Sequence, residues 1–337
     1  MSPTAPAVPV IGLSGALGAG KTTVLNSVLR RPGARVGVIV NDFGEVNVDA
    51  GLITGQIDDV AAISGGCICC LPDTGGLDDA LSVLSAPARR LDAIIVEASG
   101  VADPLSLAHL LRFSGAEHVR FGGIVEVVDA CALSAPRDDL AHRLRAASLV
   151  VANKLDRLPP RERRAALARM RAAVQAMPTR PDVVGAKHGR VPSQLLFDVA
   201  HGAPRADELD FPALFDAPAD THAHAASAWG AAPHPVDGGS LLDLLESPPP
   251  HAYRIKGAVA VRTSRGERRY IVNTVGRSIH IAADRRAQTP PLGLTIIGHE
   301  LDSARVENRL LAALRPAETA TGSDGMRRLR RHLRLSR

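Results

Sequence analysis

The 337-residue chain has few cysteines, few lysines and no long apolar run. No stretch approaches the roughly 20 consecutive apolar residues that a membrane-crossing helix needs, so no membrane partner is expected. The opening residues, MSPTAPAVPVIGLSG, carry no basic leader and run straight into glycines. They do not read as a secretory signal, and a cytoplasmic protein is expected. Four cysteines, three of them within one hexapeptide, do not suit a disulfide framework. They point to metal binding or redox chemistry. Lysine occurs only at Lys21, Lys154, Lys187 and Lys256, and arginine supplies the rest of the 40 basic residues. Each lysine therefore marks a place where a compact ammonium or a slim stem is wanted.

An apolar content of 45% and a charged content of 22% suit a globular chain long enough for two domains. Val/Ile-rich runs at 8–13, 36–40, 93–96, 124–128, 149–152 and 183–184 read as strands buried on both faces. Helical patterns at 21–31, 76–84, 105–111, 140–146, 161–177 and 192–200 alternate with them. The alternation predicts an α/β fold with a mostly parallel sheet and helices on both faces. From about 206 to 250, Pro, Ala, Gly, Asp and His dominate, which reads as a linker holding one short helix at 241–245. Strand-like runs at 253–262, 269–274, 278–282 and 294–297 and a helix at 303–314 predict a smaller α+β domain. The closing MRRLRRHLRLSR holds six arginines and no acid. It reads as a solvated tail, or as a contact for RNA or an acidic partner.

GALGAGKT, Gly15 to Thr22, matches G-x-x-x-x-G-K-[ST] between a strand and a helix. The loop (Gly15, Gly18, Ala19, Gly20, with Thr23 following) would cradle phosphates with backbone N–H groups. Lys21 would reach the β- and γ-phosphates, and the Thr22 hydroxyl would ligate Mg²⁺. In VEASG, Glu97 ends a strand and Gly100 follows three residues on, so Glu97 can face the metal and the γ-phosphate. NKLD follows another apolar strand. There Asn153 and Asp156 suit guanine, because a carboxylate can accept from both N1–H and N2–H₂, and the Lys154 stem can cover the base. GAK, Gly185 to Lys187, could complete the pocket through the Ala186 backbone. Three of the four lysines thus fall at nucleotide positions, and GTP is favoured over ATP.

GGCICC supplies Cys67, Cys69 and Cys70. Three thiolates favour Zn²⁺, Cu(I) or a similar ion, and a bend permitted by Gly65, Gly66 and Pro72 would let all three meet it. Closed zinc sites have four protein ligands, so a three-ligand loop suits capture and release. A dithiol switch and a buried cluster are the alternatives. Cys131 stands alone at the end of an apolar strand and reads as core. Between the second strand and the cysteines, VNDFGEVNVD holds Asp42, Glu45 and Asp49 around Gly44. It reads as a nucleotide-sensing loop, with Asp42 the catalytic candidate, or as an acidic surface loop.

In this order GALGAGKTT, NDFGEV, GGCICC, VEASGVADP and NKLD, followed by RIKG and IIGHELD, resemble the CobW-type GTPases of the CobW/HypB/UreG group. The resemblance spans nearly the whole chain. It implies a P-loop GTPase domain with the CxCC loop over 1–205, a flexible linker over 206–250, a C-terminal α+β domain over 251–316 and a basic tail over 317–337. It implies GTP hydrolysis and metal binding at Cys67, Cys69 and Cys70, with Glu45 as an auxiliary ligand. It also implies delivery to a client metalloprotein. Zn²⁺ is the first choice of cargo and Co²⁺ the second, for family members are linked to zinc homeostasis, cobalamin synthesis and nitrile hydratase activation. A homodimer is a further expectation. The alternative reading is a metal sensor that controls a macromolecular partner without transferring metal. Two departures from the family pattern stand out. Val40 and Asp42 replace the two acids of E-N-E-F-G, and the His-rich linker of many relatives is reduced here to His222 and His224, with His234 and His251 farther off.

Overall fold

The computed structural model describes residues 7–30, 35–41, 59–63, 75–132, 138–196, 225–284, 292–299 and 301–336. Asp42, Glu45, Cys67, Cys69, Cys70, His222 and His224 lie outside the described residues. The chain divides into two units, with the boundary between His224 and Ala225.

The first unit is α/β. Its strands are β1 (Val8–Gly15), β2 (Val36–Asn41), β3 (Asp59–Ile63), β4 (Ala93–Glu97), β5 (Val119–Asp129), β6 (Leu149–Asn153) and β7 (Asp182–Gly185). They form one sheet in the order β3-β2-β4-β1-β5-β6-β7. Every pair is parallel. The helices are α1 (Lys21–Leu29), α2 (Gly75–Leu84), α3 (Pro104–Arg112), α4 (Asp138–Leu144) and α5 (Pro160–Gln175). Every residue of β1 and β4 is buried, so both faces of the central strands are covered. On one face Val10, Ile94, Val96 and Ile124 pack with Leu81 of α2 and Leu107 and Leu111 of α3. α5 begins at a proline, whose missing N–H costs nothing in a first turn. Its buried residues, Ala166, Met170 and Val174, recur every fourth position, as one helical stripe must.

The sheet has one strand more than the sequence reading predicts. β3, DVAAI, is short and starts with an acid, and only pairing with β2 identifies it. The run 192–200 yields a 3₁₀ turn, Ser193–Leu195, before the described residues stop at Leu196.

The second unit has the strands β8 (Ala225–Ala231), β9 (Ala252–Thr263), β10 (Gly266–Val275), β11 (Ser278–Ala283) and β12 (Gly293–His299). They pair antiparallel in the order β11-β10-β9-β12-β8. Helices α6 (Gly238–Glu246), α7 (Ser303–Ala313) and α8 (Ser323–Leu335) complete it. Two expectations are corrected here. The stretch read as a linker with one short helix at 241–245 has that helix, as α6, but 225–231 is strand β8 and not linker, because Ala-rich AASAWGA pairs with β12, and four leucines of α6 enter the core. The basic tail is a helix. Leu329 is fully buried, with Met326 and Leu333 packed against the same core. Arg328 donates to Asp243 (2.9 Å) and Glu246 (2.8 Å), and His332 Nε2 lies 2.9 Å from Glu246. Burial tends to raise the Glu246 pKa, but Arg328 and His332 outweigh it and hold the carboxyl below its usual value. Arg327, Arg330, Arg331 and Arg334 remain exposed on the other side.

Leu329→Ala should therefore cost roughly 2–5 kcal/mol in denaturant unfolding of the full chain, as a cavity in a closed core does. Arg331→Ala should stay within about 0.5 kcal/mol. Equal effects would show that α8 is not part of the second core.

Candidate functional site

The C-terminal ends of the first unit's parallel strands gather the predicted nucleotide residues. β1 runs into the loop 16–20, and α1 starts at Lys21. Gly20 takes φ 96°, and a Cβ there would sit 2.4 Å from Asn153 Nδ2. Only glycine fits, which explains the second glycine of the motif. Lys21 is buried, and its ammonium donates to the Gly15 carbonyl at 3.1 Å. The adjacent Thr22 hydroxyl donates to Glu97 Oε1 at 2.8 Å. Glu97, 3% exposed, ends β4 beside β1, so sheet register places it opposite Leu13. Two oxygen donors held this close fit a small hard cation such as Mg²⁺. Gly100 lies against the loop, where a Cβ would come within 2.7 Å of the Leu17 nitrogen. The segment after Glu97 thus touches the tip of the phosphate loop.

Asn153 ends β6 and is buried. Its Nδ2 donates to the Ala19 carbonyl at 3.1 Å, and its Oδ1 accepts from Gly189 N–H at 3.1 Å. One amide ties the phosphate loop to the segment after β7. Asp156 accepts from His188 N–H at 2.8 Å. Burial pushes its pKa up, but that bond and the nearby His188 and Arg157 charges prevail and hold it below the usual carboxylate value. The carboxylate form is thereby favoured. A cavity of about 530 Å³ opens alongside, lined by Thr23, Asn26, Ser27, Arg30, His188 and Arg190. Thr23, named with the phosphate loop, lines this space. Of the other lining residues, His188 and Arg190 follow GAK, a position the sequence reading stopped short of.

Two details add to the expectations and one, at Cys131, differs. Both Ala186 backbone groups are engaged: its N–H donates to the Ala152 carbonyl (2.9 Å) and its carbonyl accepts from Leu155 N–H (3.1 Å). The β6–β7 ladder thus runs one residue beyond β7, through the Ala186 backbone. Lys154 sits at φ 62° and donates to Asp129 Oδ2 at 2.8 Å. Asp129, at the end of β5, was missed by sequence reasoning; the VVD immediately before a turn, one strand ahead of NKLD, was the available signal. Cys131 is exposed rather than core. Its N–H donates to Asp129 Oδ1 (2.9 Å), and burial together with that carboxylate raises the thiol pKa.

Beyond Glu97, Asp103 caps α3 by accepting from Ser106 N–H (2.9 Å) and Ser106 Oγ (2.7 Å), and lies 2.8 Å from His142 Nε2. Burial opposes the ionised form, but these bonds lower its pKa to about 2.

Two measurements check this geometry. Asn153→Ala strands the Ala19 carbonyl and the Gly189 N–H, each worth roughly 1–3 kcal/mol, so fluorescent guanine nucleotide should bind about 10-fold or more weakly. Because the folded pKa of Asp103 lies below the ordinary carboxyl value of 3.8, its contribution is present above that value and lost as pH falls towards about 2. Acid unfolding of Asp103→Asn should lack that portion of the transition; an unchanged acid limb would contradict the cap.

A family profile described as CobW/HypB/UreG, nucleotide-binding domain, matches residues 9–184. A second, described as Cobalamin synthesis protein cobW C-terminal domain, matches residues 227–314. The chain is 30% identical over 229 residues to a protein named zinc chaperone CobW from Sinorhizobium, covering 58% of this chain and 63% of that one. It is 28% identical over 356 residues to a zinc chaperone CobW from Pseudomonas aeruginosa, covering 91% and 92%. It is 38% identical over 120 residues to the zinc-regulated GTPase metalloprotein activator 1 of Dictyostelium discoideum, covering 32% and 25%. The matches thus span less than two thirds of the Sinorhizobium and Dictyostelium proteins. Among solved structures, Zn(II)-bound YjiA GTPase from Escherichia coli superposes with a TM-score of 0.42 at 23% identity, covering 93% of this chain and 100% of that one. The phosphate loop, the Glu97 segment and the Asn153–Asp156 turn all lie inside the first matched region, and the chain belongs to the CobW/HypB/UreG family.

Proposed function

We propose that this protein is a GTP-dependent zinc metallochaperone: it hydrolyses GTP and couples that hydrolysis to delivery of zinc to a client protein. The carrying observation is the convergence of Lys21, Thr22, Glu97, Asn153 and Asp156 at one end of one sheet. GTP binds with its phosphates over Gly15–Gly20 and its base at Asp156. Lys21 exchanges the Gly15 carbonyl for phosphate oxygens. Thr22 and Glu97 hold Mg²⁺, which neutralises charge on the β- and γ-phosphates. The names of relatives, zinc chaperone CobW and zinc-regulated GTPase metalloprotein activator 1, support zinc as the cargo. Cys67, Cys69 and Cys70 are its ligands in this reading, with Glu45 as auxiliary and Asp42 as the catalytic candidate; three thiolates leave a position for exchange. Loss of the γ-phosphate relaxes the segments that sense it and changes the metal's surroundings. The second unit recognises the client or relays the nucleotide state.

Zinc affinity should differ between the GTP- and GDP-bound protein, because coupling between two ligands is reciprocal. Lys21→Ala should abolish hydrolysis, and Cys→Ser at 67, 69 and 70 together should abolish tight zinc binding. Identical zinc affinity with GTP, with GDP and with no nucleotide would remove the chaperone cycle. Retained zinc binding in the triple variant would remove the assigned ligands.

A further inference from the structure

Arg143 is an unusual arginine in this chain. It projects from α4, is 6% exposed, and meets three other segments with one guanidinium. Nε donates to Glu126 Oε1 of β5 at 2.6 Å. Nη2 donates to Ser14 Oγ at 3.0 Å, one residue before the phosphate loop. Nη1 lies 3.5 Å from the Ala102 carbonyl, in the segment that follows Glu97. The neighbouring His142 holds Asp103 of the same segment. α4 therefore grips both the strand that launches the phosphate loop and the segment that carries Glu97.

Stability is a poor reason for this arrangement. Taking a guanidinium and a carboxylate out of water is costly, and an apolar pair of similar volume often serves a fold equally well. Burial also works against Glu126, pushing its carboxyl upward despite Arg143. The planar fork of arginine is what the site uses, for a lysine ammonium could not address three acceptors set around one plane. Ser14 and Glu126 are register partners on adjacent strands, so Arg143 bonds across a β1–β5 step that the backbone already fixes. The element it adds to that rigid pair is Ala102.

We infer that Arg143, held by Glu126, is a positioning residue for GTP hydrolysis: strand register fixes Glu97, and Arg143 keeps the segment that follows it, at Ala102 and Asp103, against the phosphate loop, so that the stretch flanking the Glu97 and Thr22 oxygens stays in place around the nucleotide. This rests on the GTPase reading above. Small displacements of such groups lower kcat more than they lower nucleotide affinity.

Arg143→Met alone leaves Glu126 buried and unpaired, and such a protein can fail to fold. The informative variants of the full chain are therefore Glu126→Met/Arg143→Met, which removes both charges, and Arg143→Lys, which keeps one charge without the fork. Thermal unfolding, affinity for a non-hydrolysable GTP analogue and single-turnover GTP hydrolysis are measured beside wild type and Lys21→Ala. The expected result is a wild-type melting temperature, analogue affinity within about 3-fold, and kcat lowered roughly 10- to 100-fold in both variants. Wild-type kcat in the double variant would make the pair mere packing and overturn the inference. A loss of analogue affinity as large as the loss of kcat/KM would assign the pair to binding and overturn it equally. A wild-type chain that does not hydrolyse GTP would overturn the GTPase reading, and the inference with it. An active wild type, a dead Lys21→Ala and a fully active double variant would overturn the inference alone.

Discussion

One buried amide holds the nucleotide site together. Asn153 reaches the Ala19 carbonyl on one side and the Gly189 N–H on the other. The phosphate loop follows β1, the Asn153–Asp156 turn follows β6, and the Gly189 turn follows β7. The segments after β6 and β7 share a backbone ladder, but none joins them to the phosphate loop, because β5 stands between β1 and β6. A side chain must do it, and asparagine offers donor and acceptor from one short stem. The close approach that results also dictates glycine at position 20, where a Cβ would collide with the same amide.

The opposite flank of the loop is held differently. There the contact is a hydroxyl on a carboxylate, Thr22 on Glu97, with the Gly100 backbone pressed against Leu17. Neither of these is a tie of the Asn153 kind. Strand register and the Ala98 N–H on the Leu13 carbonyl hold the start of that segment, and the buried arginine on α4 reaches it again at Ala102. The loop thus has one flank braced by a side-chain amide and another held by strand register and a guanidinium.

Much of this was legible in the residues themselves. The apolar runs of β1, β4 and β6 are long enough to announce buried strands. Scarcity of lysine made Lys21 and Lys154 conspicuous. What escaped notice depended on partners remote in sequence. DVAAI becomes a strand beside β2, and AASAWGA becomes one beside β12; neither alanine-rich run has a periodicity of its own. The arginine tail reads as solvated until Asp243 and Glu246, some 80 positions earlier, neutralise one edge of it and a leucine core accepts Leu329. Asp129 and Arg143 were invisible for the same reason: their roles are defined by Lys154, Glu126, Ser14 and Ala102, brought close only by sheet order.

The strand order also sets a timetable for biosynthesis. β1 lies between β4 and β5, so once made it has no strand neighbour until residues 93–97 have followed, and no second one until residues 119–129. Its loop gains the Asn153 brace later still. At about 5–20 residues per second, the nucleotide loop therefore waits on the order of ten seconds between synthesis and completion. A parallel sheet closed by such distant pairings is slow to form and exposes apolar strands meanwhile. The nascent chain is most in need of protection over the segment that will later hold its nucleotide.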